Sequence, residues 1–150
     1  MGISTALHAL AAVIWVGGMF FAYMAMRPAV VRVIEPSRRP ELWCHTLSLF
    51  FRYVWACVAV LLVTGYGLIH AMGGMGSVNW HIHVMHGLGL LMMLIFLHLF
   101  FAPYRRLKQA VHQGDMDAGS RRVGQIRQFV GINLILGLVV VVIAAGGRYW

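Results

Sequence analysis

The sequence is short of charge, and shortest of negative charge. Only 11% of its 150 residues are charged, against roughly 25% in a soluble domain. Four are acidic: Glu35, Glu41, Asp115 and Asp117. Hydrophobic residues make up 61%, and mean hydropathy is +0.79. So little charge cannot cover a water-soluble surface, so the composition places the chain in a bilayer. The formal net charge of +8 would suggest nucleic acid as a partner in a soluble chain. Here the basic residues lie in two blocks between apolar segments, which is the footprint of membrane topology. No nucleic acid is expected as a partner. Cysteine is scarce too. Cys44 and Cys57 form no C-x-x-C pair, and along one helix they stand about 20 Å apart, too far to bridge. No disulfide framework is implied. Nor does any segment alternate with period two over the length of a barrel strand, of which a barrel needs many.

What is present is four apolar segments, at about Ile3–Met26, Leu49–Met72, Ile82–Ala102 and Phe129–Gly147. Each is near the ~20 residues a helix needs to cross a bilayer. Helices satisfy their backbone internally, as lipid requires. The first segment has no basic residues before it and is longer than a secretory leader's apolar run, so it is read as a retained helix. The expected fold is all-α: an integral-membrane, up-down four-helix bundle, with residues 1–150 forming one domain.

Lysine and arginine set the expected orientation. Arg27, Arg32, Arg38 and Arg39 separate the first two spans, and Arg52 lies just inside the second. Arg105, Arg106, Lys108, Arg121, Arg122 and Arg127 separate the last two. The loop between spans two and three has none, and only Arg148 lies on its side. The positive-inside rule makes both basic loops cytoplasmic and both termini periplasmic, in a bacterial inner (plasma) membrane. Punctuation extends the second and fourth helices beyond their apolar parts. Pro40 suits a first helical turn. Asp115 or Asp117 can cap the fourth helix after the break at "QGDMDAG".

The histidines sort by depth. His45 and His112 fall in the basic loops, and His98 near the inner end of span three. The other five gather at the outer side: His8 in span one, His70 closing span two, and His81, His83 and His86 opening span three. Ionisable groups within a membrane are costly and rarely idle, although one such histidine can be a helix-packing partner. At 100° per residue His83 and His86 share a face, while His81 points away and is expected to be solvated. Small residues flank the rest: Ala11 and Ala12 after His8, Gly65 and Gly67 before His70, Gly87 and Gly89 after His83. They leave room for a flat cofactor, or simply let helices pack closely. Haem b fits such a groove, with His8 and His83 as axial ligands and His86 competing. Its propionates would meet Asn79, Trp80, Arg148, Tyr149 and Trp150. Copper is the alternative. Cu(I) favours thioether and imidazole, and His70, Met72, Met75, His83, Met85 and His86 offer both, although methionine is also a common gap filler.

These residues resemble a known group. "LHALAAVIWVGGMFF" (Leu7–Phe21) followed by "RPA" (Arg27–Ala29) is similar to the first helix of the copper-resistance D (CopD) type of bacterial inner-membrane proteins. "TGYG" (Thr64–Gly67), "HVMHGLGLLMM" (His83–Met93) and "FFAPYRRL" (Phe100–Leu107) resemble later helices of small stand-alone members. The resemblance implies a four-helix membrane unit associated with copper uptake or handling. A more distant likeness is to HemJ, a four-helix haem-binding membrane protein linked to protoporphyrinogen oxidation. It has a histidine early in helix one, matched by His8, and a W-x-H-x-K-like segment opening helix three, where "WHIHVM" offers His83. Met85 stands where that family has lysine, which counts against the oxidase activity.

Four functions follow as expectations. The first is a haem b protein carrying single electrons, its cofactor supplying the chemistry. The second is copper binding at the outer face, by His70, Met72, Met75, His83 and His86. The third is porphyrin oxidation. The fourth is an accessory subunit of a larger membrane complex, and the expected partners are the bilayer, haem or copper, and a redox partner or such a complex. Only His98 and Asn133 offer polar steps through the inner half.

Overall fold

The computed structural model describes residues 1–147 and 149. No strand occurs among them. Four helices are long and apolar enough to cross a membrane: α1 Gly2–Val33, α2 Pro36–Ala71, α3 Trp80–His112 and α4 Met116–Gly146. The chain is an all-α, up-down four-helix membrane bundle. At 1.5 Å per residue these helices run about 46–54 Å, well beyond the ~30 Å hydrocarbon core. The excess over the apolar segments lies mostly at the basic end. There Arg105–His112 continues α3 as an amphipathic stretch that buries Leu107 and Ala110.

Local chemistry explains where the helices begin and end. Asp115 caps α4, its carboxylate accepting from the Ala118 N–H at 3.0 Å. The Asp115 cap follows Gly114, whose φ of +73° reverses the chain. At the other end α2 stops on Gly73 and Gly74, both at positive φ. Their N–H groups bond back to the carbonyls of His70 and Ile69, a glycine-terminated helix end. Two widened i→i+5 turns interrupt α1 at Ala22–Met26 and α3 at Phe100–Tyr104. Pro28 follows the first and Pro103 lies in the second. Proline lacks an N–H and crowds the carbonyl four residues earlier, so the helix widens there.

The bundle is two pairs. α1 packs along α2, and α3 along α4. Glycines allow further close approach. A Cβ on Gly18 would overlap the Phe50 ring of α2, and one on Gly137 would stand 2.8 Å from Val16 Cγ2 of α1. α2 and α3 approach closely only towards the basic end, where Arg105–His112 lies against α2. Elsewhere an aromatic belt bridges them. Phe96 of α3 sits edge-on to Trp15 of α1 (6.1 Å between centroids) and to Phe51 and Trp55 of α2 (5.5 and 5.3 Å). Tyr104 meets Phe51 at 4.9 Å and 85°. Edge-to-face pairs of this kind add roughly 0.5–1.5 kcal/mol beyond burial. Between α3 and α4, buried Asn133 donates from Nδ2 to the Met92 carbonyl at 3.2 Å, and its Oδ1 has no partner.

The glycine contacts are testable. Gly137→Val would force its side chain into Val16 and should lower stability by about 1–3 kcal/mol, read from unfolding in micelles. Gly67→Ala, with no atom within 4 Å of the added methyl, should be neutral or stabilising by up to ~1 kcal/mol. Equal losses in both would mean that close approach is not what Gly137 provides.

Candidate functional site

Above the aromatic belt a half-open cavity of about 550 Å³ lies between the two helix pairs. All four helices line it, at the end of the bundle that holds the α2–α3 turn. Trp15, edge-on to Phe96, reaches it from the belt side. His8, Met72, His81, Met85 and His86 open into it from three helices. Ala9, Ala12, Gly65 and Gly89 keep its walls low. A Cβ on Gly89 would meet nothing within 4 Å, so this glycine adds directly to the open volume. The volume lies within the ~300–1,000 Å³ of small-molecule sites.

His8 is the most constrained of these donors. Its Nδ1 lies 2.8 Å from Thr64 Oγ1, and Thr64 Oγ1 lies 2.6 Å from the Val60 carbonyl oxygen. A carbonyl only accepts, so the hydroxyl's single proton goes to Val60. Thr64 must then accept from Nδ1–H of His8. That orients the ring, and in the neutral imidazole it leaves the Nε2 lone pair for a ligand. Metal-binding imidazoles are commonly oriented this way, through the nitrogen that does not ligate. Gly65 completes the seat: a Cβ there would stand 3.2 Å from His8 Cε1. The motif "TGYG" therefore supplies Thr64 as the hydrogen-bond partner and Gly65 as the clearance. Tyr66 adds an edge-on contact to His86, 5.2 Å between centroids, with its hydroxyl 3.5 Å from Nε2.

The structure rearranges the expected site. His8, His86 and Met72 come together in one cavity. His83 does not join them. It is exposed, about 120° round α3 from Gly89, on the side of exposed Val84, Leu91 and Leu94. Of the two α3 histidines expected to face His8, the cavity lining includes His86 and not His83. His81, expected to be solvated, is half-buried in the cavity. A Cβ on Gly147 would stand 2.9 Å from His81 Cβ. His70, Met72 and Met75 are all exposed, and of the three only Met72 lines the cavity. Trp80 is 54% exposed, with its ring beside His81. Arg148 and Trp150 lie outside the described residues. At the other end His98 is exposed and edge-on to Phe129, 5.0 Å away.

Thr64 and His81 were the residues that sequence reasoning missed. Helix phase carries the signal for His81. Met85, Gly89 and Met92 continue its side of α3, while His83 shares its side with large aliphatic residues suited to lipid. Among the described residues, no three His, Cys, Asp or Glu side chains converge as a metal site. Any metal held here would draw on thioethers as well.

The sequence model of a family described as copper resistance protein D matches residues 44–146, more than half of the chain. The chain belongs to that family. No curated protein and no solved structure matches it. The matched region includes Met72, His81, Met85 and His86 and leaves out α1, with His8.

The His8 tautomer can be read directly. ¹⁵N NMR of histidine-labelled protein at neutral pH should show His8 protonated on Nδ1. Thr64→Val should remove that preference. A His8 signal protonated on Nε2 in the wild type would contradict the assignment.

Proposed function

We propose that this member of the copper resistance protein D family binds Cu(I) as cargo in the cavity between its two helix pairs. One observation carries the reading: imidazoles and thioethers from three helices open into a single cavity. Those are the neutral, soft donors that Cu(I) prefers to carboxylates. His8 offers Nε2, held by Thr64. His86 and Met85 lie a residue apart on α3, and Met72 reaches in from the end of α2. The family description independently names copper.

The positive-inside rule supplies the orientation in this reading. The basic loops face the cytoplasm, and both termini and the cavity face the periplasm of a bacterial inner membrane. Copper then enters from outside. Below the cavity the bundle is filled by the rings of Trp15, Phe51, Phe96 and Tyr104, all buried. Packed aromatic rings offer little to a soft cation, so in this reading the site takes up and presents copper rather than conducting it. An exchange partner, protein or small carrier, would receive it at the same face.

The cavity volume favours a second reading, haem b as a resident cofactor. An ion alone does not need about 550 Å³, and the small residues at 9, 12, 65 and 89 leave space for a flat ring. His8 and His86 would supply imidazoles, and the bound group would provide one-electron exchange. The chain's own part would be to orient His8 through Thr64 and to exclude water with apolar walls.

A competition titration separates the two. Purified protein should bind one Cu(I) per chain. His8→Ala and Met72→Ala should each weaken binding by about tenfold or more, while His83→Ala and His70→Ala should leave it unchanged. Binding that survives the cavity variants but is lost with His83 or Met75 would place copper on the exposed turn instead. Protein that binds no Cu(I) and carries a reducible porphyrin spectrum, lost in His8→Ala, would establish the haem reading.

A further inference from the structure

A second cavity, of about 250 Å³, lies at the basic end between α1, α2 and α4. Arg27, Arg39 and Arg127 line it, and no acidic residue does. Arg39 donates to the carbonyls of Val31 and Ile34 at 2.7 and 2.8 Å, closing the end of α1. These bonds fix its position but do not neutralise its charge. The Arg27 guanidinium carbon lies 5.5 Å from the Tyr23 ring centroid, so cation–π contact orients it. The deeper walls are apolar: Leu47, Phe50, Ile126 and Val130. From Arg39 to Phe50 the lining descends about 16 Å along α2.

We propose that this cavity binds an anionic phospholipid. The headgroup phosphate meets the guanidinium groups, and the upper part of one acyl chain lies against the apolar wall below. Charge complementarity selects the anion: three arginines line one cavity with no acidic residue in its lining. Depth selects lipid over free phosphate, because a small anion would leave the apolar part of the cavity empty. Basic pockets between membrane helices recognise headgroups in this way. The volume suits the phosphate region and part of one chain, not a whole lipid. The site also does structural work. A lipid seated there would touch Tyr23 and Arg27 of α1, Arg39 of α2 and Arg127 of α4. It would thus tie the two helix pairs together at the end opposite the copper cavity.

Native mass spectrometry and thermal melting of delipidated, detergent-purified protein test this with named probes. Phosphatidylglycerol should remain bound and raise the melting temperature. Phosphatidylcholine with the same chains should do neither, and nor should inorganic phosphate. Arg27→Gln with Arg127→Gln should weaken phosphatidylglycerol retention by about tenfold or more. Arg105→Gln with Arg106→Gln removes the same charge from exposed positions outside the cavity and should leave retention unchanged. Gly124→Leu should displace the lipid while keeping every arginine, because Gly124 lines the cavity and a Cβ there meets nothing within 4 Å. Equal retention of the two lipids, or equal losses in the two arginine pairs, would reduce the effect to general surface attraction and overturn the site. Stabilisation by inorganic phosphate equal to that by phosphatidylglycerol would make it an anion site and overturn the lipid assignment.

Discussion

Three of the four helices meet at the ring of Phe96, which is 3% exposed and edge-on to aromatic rings from α1 and α2. This contact decides what the rest of the bundle can do. Association in lipid draws little on the hydrophobic effect, so helix pairs hold by close packing and specific contacts. α1 with α2 and α3 with α4 achieve this along their lengths. Between the pairs the bulk of Trp15, Phe51, Trp55 and Phe96 acts as a spacer. It joins the pairs at mid-depth and leaves them apart above. The cavity of imidazoles and thioethers exists because the belt is wide and the residues above it are small.

The two ends of the molecule have opposite chemistry, and each follows from its sequence. Above the belt the cavity lining offers imidazole and thioether and no acidic side chain. On the copper reading such a site would select by softness and not by charge. At the other end three arginines share a cavity with aromatic and aliphatic walls. Those groups suit a charged headgroup and do not suit a soft cation. Scarcity of acid serves both ends. A carboxylate at the first would attract hard cations, and one at the second would neutralise the guanidinium cluster.

The four spans and the α4 cap, narrowed to Asp115 or Asp117, were legible in the sequence because each rests on local rules: hydropathy and side-chain capping. The extent of the helices at the basic end was only partly legible, since charged amphipathic stretches such as Arg105–His112 escape a hydropathy reading. The clustering of histidines was legible as depth, but not which of them face inward. His83 and His86 lie 60° apart on an ideal helix, so spacing alone could not separate the residue in the cavity from the one outside it. That division depends on how α3 is turned against α4, which is set by packing around Met92, Asn133 and Gly137. Thr64 was hidden for a similar reason. Its role rests on a hydrogen bond across 56 positions of sequence.

The central claim is that His8 and the methionines of α2 and α3 hold copper between the helix pairs. X-ray absorption at the copper edge of Cu(I)-loaded protein tests it most directly. The account predicts a mixed shell of imidazole nitrogen and thioether sulfur, with the nitrogen contribution reduced in His8→Ala. A shell without sulfur, or one unchanged by His8→Ala, would contradict it.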